Sequence, residues 1–163
     1  MGGGVSAPAP SPRLHAVLLD TGPLGLLVHT KAGPDTVACR AWTATLAAAG
    51  ARVIVPEIAD YELRRELLLA RLTRSLRALD LLAESLDYLP LDTAAMRQAA
   101  NFWAQARQAG RPTADRHALD ADVVLAAQAV TLGYPPGGAV VATGNVGHLA
   151  QFIPAQHWQD ITL

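Results

Sequence analysis

Four short segments carry the residues whose types could do chemistry together. They are Asp20 in LLDTGP, Glu62 in PEIADYELRREL, Asp120 and Asp122 in LDADVVLAAQAV, and Thr143 with Asn145 in VVATGNVGH. Carboxylates drawn from distant segments supply hard oxygen donors of the kind that hold magnesium or manganese. Such an ion can neutralise a phosphate, lower the pKa of an attacking water and stabilise a leaving oxygen, the three needs of phosphodiester hydrolysis. Each residue also has a plain structural role open to it. Asp20 or Thr21 could cap a helix ahead of Pro23, Asp120 could cap a later one, Asp122 could sit favourably in its first turn, and Asn145 could cap a turn. Glu62 could be a solvated neighbour of Arg65. Helical geometry puts Asp120 and Asp122 about 160° apart on a continuous helix, so both can face one ion only if the helix begins at Asp120.

Other chemistries find less support. No Ser/His/Asp order is visible, and nothing around the lone Cys39 marks a reactive thiol. Neither G-x-x-x-x-G-K nor G-x-G-x-x-G occurs, which disfavours a P-loop or dinucleotide site. A phosphatase of the haloacid dehalogenase type could use Asp20 as nucleophile, but it wants a second Asp two residues on, where Gly22 stands. Arg64, Arg65, Arg71, Arg74 and Arg77 could track an RNA backbone or meet an acidic partner segment; Arg64 and Arg65 are the foremost candidates. The same arginines also read as a solvated helix face paired with Glu66, Asp80 and Glu84. His148 and His157 read as surface or satisfied histidines, and Trp42, Trp103 and Trp158 as core or interface anchors.

The elements that must position these groups alternate along the chain. Apolar runs at 14–19, 53–55, 88–91 and 139–143 are short and nearly continuous, as in strands buried on both faces. The terminal ITL could add a short fifth strand. Helical patterns lie between them at about 23–30, 35–49, 57–70, 73–86, 92–109 and 119–132. Pro34 and Pro56 stand at helix starts, and Gly50, Gly110 and Gly133 where glycines end helices. Ala59, Leu63, Leu67 and Ala70 form one predicted core stripe; Leu119, Val123, Ala126, Ala127 and Val130 form another. The implied fold is α/β, a short parallel sheet flanked by helices on both faces. The functional crevice should then lie outside the carboxyl ends of the strands.

The 163 residues suit one domain, read as 14–163, behind a Gly/Pro/Ser-rich leader at 1–13 that reads as disordered. Hydrophobic residues make up 51% and charged residues 17%, which argues for a filled core. Thirteen Lys and Arg against fourteen Asp and Glu leave a net charge of −1, so no global basic field draws in nucleic acid. A polyanion would have to be held by a local patch or through a metal. One cysteine permits no intrachain disulfide and points to a reducing, cytoplasmic setting. The most apolar stretch, 14–28, carries Asp20, Gly22 and Pro23 at its centre and does not read as a membrane span.

In order along the chain, VLLDTGPL, YELRREL, DADVVLAAQA and VVATGNVGHL resemble a PIN domain, and more narrowly a VapC-type toxin ribonuclease of a toxin–antitoxin pair. The resemblance spans residues 14 to about 160. It implies that Asp20, Glu62 and Asp122 surround divalent metal, with Asn145 in a fourth position where many members carry Asp. Asn145 can offer a carbonyl oxygen but no charge, and Asp120 could compensate. The resemblance further implies an RNA substrate, a homodimer and a small antitoxin whose tail blocks the metal site. A non-catalytic PIN-like binding module is the alternative that Asn145 keeps open.

Overall fold

A computed structural model of the chain describes residues 13–117 and 119–163. Of the leader at 1–13, only Arg13 falls among them. Strands β1 (Ala16–Leu19), β2 (Arg52–Pro56), β3 (Asp87–Leu89), β4 (Ala139–Ala142) and β5 (Ala155–Gln156) form one sheet in the order β3-β2-β1-β4-β5. Every pairing is parallel, with Val17 opposite Val53 on one side and Val140 on the other. The helices are α1 (Thr21–Val28), α2 (Pro34–Ala48), α3 (Glu57–Leu69), α4 (Thr73–Ser85), α5 (Thr93–Gln108), α6 (Ala121–Thr131) and α7 (Val146–Leu149).

Alternation along the strands divides the core in two. Ala16, Leu18, Ile54, Ala139 and Val141 face a layer that contains Phe102 of α5 and the buried residues of α6. Val17, Leu19, Val53, Val55, Val140 and Ala142 face the other layer, with Leu24, Leu46, Leu67 and Leu79. All four residues of β1 are wholly buried, as befits the middle strand of a sheet covered on both faces. The order also fixes where a site can form. From β1 the chain winds outward to β2 and β3, then returns to β4 on the opposite flank of β1. The strand order therefore reverses between β1 and β4, and the crevice at their carboxyl ends is the place where open α/β sheets take ligands.

Most element expectations hold, with Gly50, Gly110 and Gly133 at φ of 83°, 69° and 74° past the ends of α2, α5 and α6. Three do not. The fifth strand is Ala155–Gln156 and not ITL, whose Ile161 packs as a side chain in the second layer while its carbonyl accepts from Trp42 Nε1 at 3.1 Å. Leu119 and Val130 are exposed, because α6 starts after Leu119 and every residue from Val123 to Ala129 is buried instead. Ala70 is exposed as well, lying just past the end of α3. Gln128 is the polar exception inside α6, only 1% exposed. Its Nε2 donates to the Leu89 carbonyl at 2.8 Å, and its Oε1 accepts the Ile58 N–H at 3.4 Å. One side chain thus ties α6 to β3 and to the first turn of α3, the helix that carries Glu62.

Candidate active site

Asp20 follows β1 directly and caps α1. Its Oδ1 accepts the Thr21 N–H at 2.7 Å, and its Oδ2 accepts the Thr143 hydroxyl at 2.6 Å. Thr143 stands just past β4, is 1% exposed, and takes the Asn145 N–H on the same oxygen at 2.8 Å. The capping role and a place at the crevice are therefore compatible for Asp20: the carboxylate is 7% exposed and borders a cavity.

That cavity has a volume of about 340 Å³ and is lined by Asp20, Glu62, Asp120, Asp122 and Asn145, together with Thr21 and a segment around Thr113. No lysine, arginine or histidine stands among the described residues that line it. α6 begins at Ala121 with Asp120 as its N-cap, which is the one geometry that lets Asp120 and Asp122 border the same space. Asp120 Oδ1 accepts the Val123 N–H at 3.3 Å, and its Oδ2 accepts the Thr113 hydroxyl. Asp122, in the first turn, is touched on Oδ2 by Asn145 Nδ2 and by His148 Nδ1, each at 3.0 Å.

The electrostatics follow from crowding acids in a partly desolvated place. Burial pushes the Glu62 carboxyl above the usual range, and the charge of Asp20 adds to it; Arg65 opposes, and Asp122 raises it further. Burial likewise raises Asp122, the hydrogen bond from His148 opposes, and Asp20 and Asp120 push it up again. Arg65 is a weak counterion, its Nη2 lying 3.8 Å from Glu62 Oε1 while its Nε faces Glu66 Oε1 at 3.6 Å.

As the side chains stand, no three His, Cys, Asp or Glu groups among the described residues converge closely enough to hold a metal ion. The donor set still suits a hard divalent cation: oxygen ligands, no cation in the lining, and two carboxyls destabilised in their charged form. Seating an ion requires these side chains to close inward on it.

Of the residues singled out from sequence, Asp20, Glu62, Asp120, Asp122 and Asn145 come together, and Thr143 supports Asp20 from behind. Arg64 and Arg65 do not line the cavity. Arg64 is held by Asp60 and Asp80, its Nε and Nη1 each 2.8 Å from a carboxylate oxygen, and Arg65 also lies 5.4 Å from the Tyr61 ring centre. His148, read from sequence as a surface or satisfied residue, is half exposed yet engages Asp122; the signal was its spacing of one helical turn from Asn145. Thr113 lies in a G-R-P-T loop with no periodicity to mark it. For the phosphatase reading, both Asp20 oxygens already accept hydrogen bonds, and Gly22 holds the place of the second acid.

No protein-family model matches the chain, and no curated protein matches its sequence. Solved structures do match its fold. VapBC2 from Rickettsia felis, bound to a DNA fragment from their promoter, aligns with a TM-score of 0.67 at 14% identity, over 88% of this chain and 98% of that one. A DNA-bound VapBC from Salmonella typhimurium aligns with a TM-score of 0.65 at 20% identity, over 89% and 99%. VapBC-1 from nontypeable Haemophilus influenzae gives 0.60 at 19% identity, over 89% and 99%. At such identities the shared property is the fold. The chain has a single-domain α/β architecture, one parallel five-stranded sheet flanked by helices, and it shares that architecture over nearly the whole length of chains from these VapBC assemblies.

Proposed function

We propose that the protein is a metal-dependent endoribonuclease and the toxin of a toxin–antitoxin pair. The observation that carries this reading is the gathering of Asp20, Glu62, Asp120 and Asp122 around one cavity at the strand-order reversal, with no basic residue among the described residues of its lining. Asp20, Glu62 and Asp122 would hold magnesium or manganese, with Asn145 beside them and Asp120 as a further acid. Such an ion would supply the charge to neutralise the phosphate and to activate water. Thr143 and the Thr21 N–H fix the Asp20 carboxylate, while Asn145 and His148 fix that of Asp122. The net charge of −1 is no obstacle to an RNA substrate, because the ion inverts the local sign. The likeness to VapBC assemblies supports a small antitoxin as partner; a homodimer is what the motif resemblance implies, and the lone Cys39 suits a cytoplasmic setting. No helix among the described residues is long and apolar enough to cross a membrane.

The deciding experiment is incubation of the purified chain with a mixed RNA pool and magnesium. Cleavage abolished by EDTA is expected, and EDTA-insensitive cleavage would remove the metal from the mechanism. The neutral Asn145 favours one competitor, a non-catalytic PIN-like module. RNA binding without cleavage at any magnesium or manganese concentration would select it.

A further inference from the structure

The last turn of α5 and the segment after it carry positive charge close in sequence to the lining of the acidic cavity. Arg107, Arg111 and Arg116 lie within residues 107–117, with Asp115 as the only acid there. None of these arginines pairs with a carboxylate among the described residues, whereas Arg52, Arg64 and Arg65 all do. Arg111, Arg116 and the neighbouring His117 are exposed. The segment is also tied down. Arg107, stacked 4.5 Å from the Trp103 ring centre, donates from Nη2 to the Ala114 carbonyl at 2.6 Å. The Thr113 hydroxyl donates to Asp120, Arg111 N–H returns to the Ala106 carbonyl at 2.7 Å, and Asp115 Oδ1 accepts the His117 N–H at 2.9 Å. One oxygen of Asp115 is thereby taken within its own turn.

Thr113 and Ala114 line the cavity itself. Arg111 and Arg116 are each two residues from one of them, so their Cα atoms lie at most about 7.6 Å from a lining Cα. A cavity walled by acids, with exposed arginines that pair with no described carboxylate two residues from its lining, matches a phosphodiester chain. The reacting phosphate goes to the acids, through a cation, and its neighbours go to the rim.

We propose that residues 107–117 form a basic rim that binds the RNA backbone beside the reacting phosphate, with Arg111 and Arg116 as the phosphate contacts. The inference rests on the ribonuclease reading and adds the surface that holds the substrate. Arg107 and Thr113 hold the rim in place.

The test is fluorescence anisotropy of a labelled single-stranded RNA oligonucleotide, titrated with the full chain in calcium at several salt concentrations, alongside an acidic polyglutamate peptide. Each phosphate contact on a single strand contributes a salt slope of about 0.7, or about fivefold in affinity at 0.1 M salt. Arg111→Gln with Arg116→Gln should therefore weaken RNA binding about 25-fold and reduce the slope by about 1.4. Arg97→Gln, which borders a different cavity with Leu91 and Met96, should leave both unchanged. Circular dichroism establishes that the variants remain folded. Equal affinity and slope in the double variant and the native chain would overturn the rim while leaving the ribonuclease reading intact. Failure of the native chain to bind RNA at all would overturn both. Loss of peptide binding with RNA binding unaffected would reassign the surface to an acidic protein segment and overturn the proposal.

Discussion

Thr143 donates its hydroxyl to Asp20 Oδ2 at 2.6 Å across 123 residues of sequence. The bond joins the residue after β1 to the residue after β4, the two strands that flank the reversal of strand order. A buried hydroxyl facing a carboxylate makes a charge-assisted bond, and the same oxygen takes the Asn145 N–H. Thr143 thus sets both the first acid and the turn that carries Asn145.

Thr143→Val keeps the shape and deletes the donor. A hydrogen bond to a charged group contributes about 1.5–3 kcal/mol, so urea denaturation should show a loss of about 2 kcal/mol. At a typical slope of about 2 kcal/mol/M, that lowers the midpoint by about 1 M. Thr143→Ser should recover most of it. A valine variant as stable as the native chain would show that the Asp20 carboxylate is adequately held by the Thr21 N–H alone.

The raised carboxyls of Glu62 and Asp122 give a pH dependence of defined sign. Each folded pKa lies above its unfolded value, so the folded state binds more protons in the interval between the two. In metal-free protein, their contribution to stability must therefore rise as pH falls through the folded pKa values toward the unfolded ones. Glu62→Gln and Asp122→Asn, singly and together, should flatten this slope in melts compared from pH 7 to pH 4 and raise Tm at pH 7. Magnesium should raise Tm more in the native chain than in either variant or in Asp20→Asn. Asp20→Asn and Asp122→Asn should each abolish cleavage. Equal metal-induced shifts in all of them would mean that the acids serve as caps and not as ligands.

Much of this arrangement was legible because it is local. Asp20 reads as a carboxyl-edge residue from the apolar run before it, and Asp120 and Asp122 share a site because a capping aspartate resets where the helix begins. β5 was not legible, since two residues at the sheet edge, one of them exposed, leave no apolar run. For Arg64, the pairing with Asp80 read from the sequence holds through the packing of α4 on α3, while Asp60, one helical turn before it, is a partner that reading did not name. Thr113 touches Asp120 through a turn that no periodicity describes, and the spacing of His148 from Asn145 does not name Asp122, 26 residues away, as its partner.

Gln128 gives a test of how the helix bearing Glu62 is held. Gln128→Leu would leave the Ile58 N–H and the Leu89 carbonyl without this partner inside the core. Each unsatisfied buried group costs about 1–3 kcal/mol, so a loss of about 2–6 kcal/mol is expected in denaturant titrations. Gln128→Glu keeps the acceptor for Ile58 and loses the donor to Leu89, and it should lose still more stability where its carboxylate is ionised. Should the leucine variant match the native chain, water must be satisfying both backbone groups.

The fourth position decides between a ligand and a support. Asn145 Nδ2 and His148 Nδ1 both lie 3.0 Å from Asp122 Oδ2. With its proton on Nδ1, the imidazole donates to the same oxygen as the amide, so Asp122 is held twice. Asn145→Ala and His148→Ala should each reduce cleavage by a few-fold, and the double variant should fall below the product of the two, because only then is the oxygen bare. Asn145→Asp acts differently. It deletes a donor and places a like charge beside Asp122, where two unit charges at about 4 Å and an effective dielectric of 20 repel by about 4 kcal/mol before rotation and protonation relieve most of it. Metal-free Asn145→Asp should therefore melt below the native chain at pH 7. A divalent ion reverses the sign of that interaction, so its magnesium-induced rise in Tm should exceed the native one, and cleavage at low magnesium should increase about fivefold for each 1 kcal/mol gained in metal affinity. If the Asp and Ala variants both follow the native magnesium titration, Asn145 is a turn residue alone, and the site rests on Asp20, Glu62 and Asp122 with Asp120 as the next acid to replace.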